Sequence, residues 1–196
     1  MRKITLITAI IATTMLAILF ACNTKTTAAT SEGVQLSEDS LIKLGGYLVN
    51  TMGCDDCHSP KKMGPMGPEI NMDLRFSGHP SNAPLPAVDT NVIKKGWLLF
   101  GMDVTAFTGP WGQSYAANLT SDETGIGGWT EQQFFTALRK GKWKGLEESR
   151  PLLPPMPWQQ YGNLKDQDIK AIFAFLKTTK PVKNLVPEWK KWNELK

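Results

Sequence analysis

Two cysteines and a histidine stand within five residues of the chain, in the segment Cys54-Asp55-Asp56-Cys57-His58. On a helical turn, two intervening residues set the thiols at the separation of the two vinyl groups of one porphyrin. The adjacent imidazole then projects from the same turn and can bind iron axially. The spacing therefore predicts one covalent haem c, attached through Cys54 and Cys57, with His58 as a ligand.

The same spacing also occurs in two other kinds of site. A redox-active dithiol of the thioredoxin kind requires a βαβ context, and the hydrophobic pattern gives none. A zinc site requires a fourth ligand, and the chain holds only one further histidine, His79, and one further cysteine, Cys22. Haem remains the favoured cofactor of this motif.

The second axial ligand is expected among the methionines. Met156 lies in the segment 151–158, whose four prolines fix the backbone and remove amide donors, so this loop can hold a thioether rigidly. The structural alternative is that Met156 merely fills a gap in the core. His79 would instead give a bis-histidine site of lower potential. The rival methionines, none of which has this proline frame, are Met52, Met63, Met66, Met72 and Met102.

The first 21 residues carry the features of an export signal. Arg2 and Lys3 precede an apolar run that ends in Leu19-Phe20-Ala21-Cys22, which resembles the lipobox of bacterial lipoproteins. Cleavage before Cys22 would leave that cysteine to be acylated. The alternative is an uncleaved anchor, since about 18 apolar residues just span a bilayer. Either interpretation predicts an exported, membrane-anchored protein that faces the periplasm or the cell exterior.

Composition and patterning divide the rest of the chain. The polar stretch 22–36 predicts a flexible tether, residues 37–184 one folded domain, and residues 185–196 a basic tail. The hydrophobic fraction of 41% and charged fraction of 20% exclude a wholly disordered or multi-pass membrane chain. Of 22 basic residues, two precede Cys22, which leaves 20 against 18 acidic ones. This excess is too small to indicate a nucleic-acid partner.

Three helices can be read from caps and apolar spacing. The first begins after Ser37, the second has the capping box Thr130 to Gln133, and the third runs from Asp166 to about Lys177. Lys165 stands at the cap of the third and predicts a weak cap. Long Pro- and Gly-rich loops are expected between them, chiefly over 60–86 and 108–128. The expected fold is small, all-α and rich in loops.

Three motifs in this order give the chain its resemblance to a known family. They are Cys54 to His58, the stretch from Asn118-Leu119-Thr120 to Trp129-Thr130, and Met156-Pro157-Trp158 ahead of the last helix. The chain resembles class I monohaem c-type cytochromes, and especially the cytochrome modules of bacterial membrane-bound dehydrogenase and oxidase chains. The resemblance covers about residues 37–184 and implies a cytochrome c-like helical domain wrapped around its haem.

The resemblance also implies two contacts. The first helix should pack across the last one, which would explain Gly45-Gly46 and Phe173. A glycine–proline step after the haem motif should offer its carbonyl to the free ring nitrogen of His58. Gly67-Pro68 matches that step best, and Gly64-Pro65 is the rival.

The predicted function is electron transfer rather than catalysis by this chain. Histidine and thioether ligands hold iron in similar geometry in both oxidation states and leave no position open for substrate. The partners would be redox proteins, an unidentified donor and acceptor, and the membrane through the lipid anchor. The alternatives are an obligate cytochrome subunit of a dehydrogenase or terminal oxidase complex, and a haem sensor in which a ligand displaces Met156.

Replacement of Cys22 by serine tests the anchor. Cys22→Ser should abolish acylation, because serine offers no sulfur to the lipid, and should leave haem attachment at Cys54 and Cys57 intact. The measurement is the fraction of the protein that sediments with membranes after a salt wash, alongside haem staining. Membrane association that survives in Cys22→Ser would favour the uncleaved anchor.

Overall fold

The computed structural model describes residues 36–195. The predicted signal segment, Cys22 and nearly all of the predicted tether lie outside this range. Within residues 36–195, no helix combines the length and apolar character needed to cross a membrane.

The described chain is mostly helical, with two small antiparallel sheets. The helices are α1 (Glu38–Thr51), α2 (Cys54–His58), α3 (Thr90–Lys94), α4 (Glu131–Lys140), α5 (Trp158–Tyr161) and α6 (Asp166–Lys177). The strands are β1 (Lys61–Gly64), β2 (Gly67–Ile70), β3 (Leu99–Phe100), β4 (Ala106–Gly109) and β5 (Gly112–Tyr115). Short 3₁₀ turns lie at Met72–Leu74, Trp143–Gly145 and Trp192–Glu194.

The strands correct the expectation of an all-α fold. β1 pairs with β2, and a second sheet has the order β3-β4-β5. The first sheet lies in the predicted loop 60–86, and the second begins before the predicted loop 108–128 and extends into it. The strands are two to four residues long, too short for an alternating pattern to stand out in the sequence. The helical part of the prediction is confirmed, and the loops contain hairpins.

Helices α1 and α6 cross in close contact at Gly45. A Cβ atom added there would lie 1.9 Å from the carbonyl oxygen of Ala171 and 2.8 Å from Cβ of Phe175. Only glycine permits this approach of the two backbones. The predicted packing of the first helix across the last is therefore confirmed, and the glycine that the sequence places inside α1 has a steric reason.

The aromatic residue at this crossing differs from the expected one. Phe175, not Phe173, lies against Gly46, with a ring atom 3.1 Å from the position of an added Cβ. Phe173 packs on Phe134 of α4 instead, with ring centroids 5.1 Å apart. Residues two apart on a helix point about 200° apart, so α6 presents one phenylalanine to each neighbouring helix.

One hydrophobic core joins these helices to the loops. Ile169, Ile172 and Leu176 of α6 are buried against side chains from α1, α4 and two loops. The other buried members of this core cluster are Val49, Phe76, Ile126, Phe134 and Leu138. Burial of such side chains is the main favourable term in folding, so the loop residues Phe76 and Ile126 fix their loops to the helical core.

The helix ends follow the local sequence. Thr130 and Gln133 form the predicted capping box at the start of α4, and the Ser37 side chain caps α1. Lys165 makes no side-chain cap at the start of α6, as expected, although Asp166 and Asp168 favour the positive end of the helix dipole.

The segment 185–195, assigned to a basic tail by its composition, is folded against the second sheet. Lys190 and Gln113 of β5 exchange two backbone hydrogen bonds, of 2.8 and 3.1 Å. The indole of Trp189 donates to the carbonyl of Trp111 at 2.8 Å, and Leu195 is buried. These hydrogen bonds hold the segment on the sheet.

The glycine at the helix crossing can be tested with its neighbour as control. Gly45→Ala should lower the free energy of unfolding by about 2 kcal/mol or more, because the new methyl group overlaps the Ala171 carbonyl. Gly46→Ala gains the same helix propensity and meets only a ring that can shift, so it should be nearly neutral. Denaturant unfolding followed by circular dichroism measures both. Equal losses would contradict the steric argument.

Candidate haem-attachment site

The attachment motif forms a single short helix, α2. Gly53 precedes it with φ of 71°, a left-handed conformation that lets the chain turn sharply after α1. Cys54, Cys57 and His58 are each partly buried, and the two thiols are not joined by a disulfide. The structure therefore brings the two predicted attachment residues and the predicted iron ligand together on one turn.

The ring of His58 is held by a residue far along the chain. Its Nδ1 lies 2.8 Å from the carbonyl oxygen of Ala117. A carbonyl can only accept, so Nδ1 carries the proton and Nε2 keeps its lone pair. Burial lowers the pKa of His58, which keeps the imidazole neutral near neutral pH. A neutral ring with a fixed tautomer is the form that binds a metal.

This contact corrects the partner expected for His58. Gly67-Pro68 begins β2, where it faces Met63 and Gly64 across the hairpin. Gly64-Pro65 occupies the end of β1 and the turn that follows. The carbonyl comes instead from just beyond β5, 59 residues after His58. A contact over this separation depends on the tertiary fold, and no local motif in the sequence could reveal it.

The surroundings of both thiols favour their protonated form. Burial, followed by the charge of Asp55, raises the pKa of Cys54 to about 11. Burial also raises the pKa of Cys57, against the opposing charge of Lys61. Redox-active cysteines require the opposite shift, so the direction of these shifts does not indicate an activated dithiol.

Asp55, between the two cysteines, anchors α2 to the protein. Its side chain is buried and accepts hydrogen bonds from Nε and Nη2 of Arg75, the shortest being 2.6 Å. The Ser59 hydroxyl also donates to it, at 2.6 Å. Arg75 reaches on to the Asn50 side chain of α1 at 2.7 Å. This network ties the motif to the preceding helix and to the loop at residue 75.

The sequence motif gave no reason to single out Asp55, Arg75 or Ser59. Ser59 is fully buried, and besides donating to Asp55 its hydroxyl accepts from the backbone N–H of Phe76 at 2.9 Å. The sequence offers two adjacent acidic residues, Asp55 and Asp56, with nothing to show that Asp55 is the buried one. Its partner Arg75 stands 20 residues away and could not be assigned from spacing.

Three hydrogen bonds hold the loop that carries Met156, two of them with other segments and one within the loop. The N–H of Leu152 donates to the carbonyl of Gly141 at the end of α4, at 2.6 Å. The Ser114 hydroxyl donates to the carbonyl of Pro154 at 2.7 Å. The N–H of Met156 closes a turn onto Leu153 at 3.2 Å. These bonds fix a loop whose prolines cannot donate.

Met156 packs against the same core cluster as Cys54, and both side chains are partly buried. Just beyond the loop, the Tyr161 hydroxyl of α5 donates to the carbonyl of Met52 at the end of α1, at 3.1 Å. Burial, followed by the proximity of Cys54 and Cys57, raises the pKa of Tyr161. Tyr161, five residues after Met156, therefore joins α5 to the end of α1 beside the attachment motif.

The rivals of Met156 occupy different surroundings. Met63, Met66, Met72 and Met102 are exposed, with exposed fractions between 63% and 96%. Met52 is partly buried at the end of α1. His79 is 2% exposed, and its Nδ1 lies 2.7 Å from the hydroxyl of Thr105. Among the candidates, Met52 and Met156 are the thioethers that contact the core.

The residues present fit a covalent haem c. Two protonated thiols stand one turn apart, and the neutral imidazole beside them has its Nε2 free of the hydrogen bond made by Nδ1. A haem also needs apolar side chains around its ring, and partly buried apolar side chains pack against the core cluster. They include Leu119, Trp129, Phe135, Met156 and Leu164.

Comparisons with known proteins agree with this chemistry. The chain is 39% identical to the fructose dehydrogenase cytochrome subunit of Gluconobacter japonicus over 79 residues, which are 39% of this chain and 16% of the relative. It is 29% identical to the cytochrome c subunit of the quinone alcohol dehydrogenase of Gluconobacter oxydans over 150 residues, 76% of this chain and 23% of the relative.

A third relative is the gluconate 2-dehydrogenase cytochrome c subunit of Pantoea cypripedii, 29% identical over 140 residues, 71% of this chain and 23% of the relative. The chain is homologous to cytochrome c subunits of bacterial dehydrogenases. No family model matches it. The chain spans less than a quarter of the length of these relatives.

Homology and geometry together describe a small, mostly helical chain whose Cys54 and Cys57 pair is consistent with a cytochrome c domain. His58 lies on the same turn as the pair. Met156 adjoins the same core, and Cys22 lies outside the described residues. Asp55, Arg75 and Ala117 join the site as residues that the sequence motif did not indicate.

The buried ion pair beneath the motif predicts a large effect of one substitution. Arg75→Met should lower the free energy of unfolding by about 3 kcal/mol, because it leaves the buried Asp55 carboxylate without a positively charged partner. Lys140→Met breaks an exposed pair with Glu147 that has the same 2.6 Å separation, and it should cost less than about 1 kcal/mol. Chemical unfolding of both holoproteins measures the difference. Equal effects would contradict the role assigned to burial.

Proposed function

We propose that the chain is an exported, membrane-tethered electron-transfer protein with one covalent haem c. Cys54 and Cys57 would attach the haem, His58 and Met156 would be its axial ligands, and Cys22 would carry the lipid. Two observations together carry this proposal. The chain has a CxxCH turn whose histidine is held at Nδ1 by the carbonyl of Ala117, and it is homologous to cytochrome c subunits.

The assignment of Met156 is supported by burial and by the fixed loop. A thioether ligand must be kept in an apolar place and at a constant position, since a mobile side chain would exchange with water. Met156 is partly buried on the core that also contacts Cys54, and hydrogen bonds fix the loop on both sides of it. The four exposed methionines lack these properties.

Electron transfer follows from the donors that the chain supplies. A bound haem c provides a one-electron couple. His58 is neutral and locked in one tautomer, so its ring does not have to turn or exchange a proton between oxidation states. A rigid pair of ligands keeps the reorganisation small and leaves no open position for a substrate, which distinguishes a carrier from a catalyst.

A second candidate is an obligate subunit of a larger enzyme. The three relatives are each named as subunits of a dehydrogenase, which favours a dehydrogenase as the redox partner of this chain. The electron-transfer chemistry would be the same in both cases. Purification from the native membrane separates them, because an obligate subunit would co-purify in fixed proportion with a dehydrogenase and a free carrier would not.

The ligand set can be tested in the holoprotein. Reduced pyridine spectra of the denatured chain should show one c-type haem, and the native oxidised protein should show the weak near-infrared charge-transfer band of His/Met ligation. Met156→Ala should abolish the band, keep the haem, lower the potential and admit carbon monoxide to the reduced iron, because the thioether is gone.

Three variants serve as controls for this experiment. Met66→Ala and Met102→Ala remove methionines that are 96% and 88% exposed, so they should keep the band. Met52→Ala removes the other methionine that contacts the core and should also keep it. A band that survives Met156→Ala and disappears in one of these variants would reassign the ligand. Haem extracted by acidified solvent would refute attachment through Cys54 and Cys57.

A further inference from the structure

The short segment after β4 contacts both the proposed histidine ligand and the loop that carries the proposed methionine ligand. Ser114 lies in β5, and three residues later Ala117 supplies the carbonyl that holds His58. The Ser114 side chain is 7% exposed and donates to the carbonyl of Pro154 at 2.7 Å. Pro154 stands two residues before Met156. One stretch of chain therefore touches the histidine and the loop of the methionine.

The Ser114 hydroxyl is itself oriented. It accepts from the indole Nε1 of Trp111 at 3.1 Å, so its own proton is directed away from that donor and toward Pro154. The carbonyl of Trp111 in turn accepts from the indole of Trp189 at 2.8 Å. The donor that holds the loop is thus fixed by two further hydrogen bonds, which join it to the segment after residue 184.

The proline-rich loop has few other ways to be held. Pro151, Pro154, Pro155 and Pro157 have no N–H, so beyond the isolated bridge of Pro151 with Lys142 the loop depends largely on bonds to its carbonyls. The bond of Leu152 to Gly141 fixes one end of it. The Ser114 bond lies closest in sequence to Met156 among its side-chain bonds to other segments of the described chain.

We propose that Ser114 is a positioning residue for Met156. Its hydroxyl holds the Pro154 carbonyl, and this bond keeps the thioether at the iron against competition from other ligands. The inference rests on the proposed function, since it requires Met156 to be an axial ligand. Ser114 does not contact the iron and acts only through the loop.

The test is an imidazole titration of the oxidised full-length holoprotein, followed by the shift of the main haem absorption band when imidazole binds the iron. Imidazole binds only when Met156 has left the iron, so its apparent affinity reports how firmly the thioether is held. Ser114→Ala should raise that affinity about tenfold, which corresponds to about 1.4 kcal/mol, the size expected for a lost buried hydrogen bond. Ser114→Thr keeps the hydroxyl and should stay within about twofold of the unsubstituted protein.

Ser121→Ala is the matched control. The Ser121 hydroxyl also donates to a backbone carbonyl, that of Thr179, at 2.6 Å, and this bond does not reach the Met156 loop. Its loss should leave imidazole affinity unchanged, even if thermal unfolding shows a similar loss of stability in both alanine variants. A rise in Ser121→Ala equal to that in Ser114→Ala would overturn the proposal.

Met156→Ala separates this inference from the proposed ligand set. If it raises imidazole affinity and Ser114→Ala does not, Met156 is a ligand and Ser114 does not position it. If Met156→Ala itself leaves the affinity unchanged, the ligand assignment fails, and the positioning role fails with it. Equal affinities in Ser114→Thr and Ser114→Ala would also overturn the role of the hydroxyl.

Discussion

The hydrogen bond from Nδ1 of His58 to the carbonyl of Ala117 is the constraint on which the site depends. It fixes which nitrogen carries the proton and which way the ring faces, and both must be settled before the other nitrogen can bind a metal. The acceptor lies 59 residues away, so the bond exists only when the loops around β5 have folded onto α2. Much of the architecture can be understood as the means of keeping this carbonyl in place.

Several contacts serve that purpose. The N–H of His79 bonds to the carbonyl of Ala116, and the N–H of Gly78 bonds to the carbonyl of His58, so the loop at residues 76–79 is held between the two partners. Asn184 then donates from its side chain to the carbonyls of Ser77 and His79, at 2.7 and 2.9 Å. A residue after the last long helix therefore stabilises the loop that supports the motif. The buried Phe76 attaches the same loop to the core.

Local sequence predicted the features that depend on local chemistry. The capping box of Thr130 and Gln133, the uncapped start of α6 at Lys165 and the helical turn of Cys54 to His58 each involve residues within a few positions of one another. The crossing at Gly45 followed from the family resemblance and from the cost of glycine inside a helix. These features required no knowledge of distant partners.

The remaining features could not be predicted because their causes are distant in sequence. The bridge of Gln113 with Lys190 holds a predicted tail on β5, and the salt bridge of Asp55 with Arg75 joins α2 to the loop at residue 75. Short strands in glycine-rich segments carry too few residues for a period of two to be visible. The family resemblance implies a glycine–proline step as the partner of His58, whereas the fold supplies the carbonyl of Ala117, which no motif marks.

The Asp55 carboxylate of α2 is compensated by a positive charge, and the two thiols and the imidazole of α2 are neutral. Asp55 lies between the two cysteines, and an unpaired carboxylate there would be costly to bury. Arg75 neutralises it with a bond to each carboxylate oxygen, and the amine of Lys61 meets the carbonyls of Asp55 and Asp56. Burial is the largest cause of the raised pKa values of Cys54 and Cys57 and of the lowered pKa of His58, so all three groups favour their neutral form. A catalytic dithiol requires a stabilised thiolate, and this turn gives its cysteines the opposite environment.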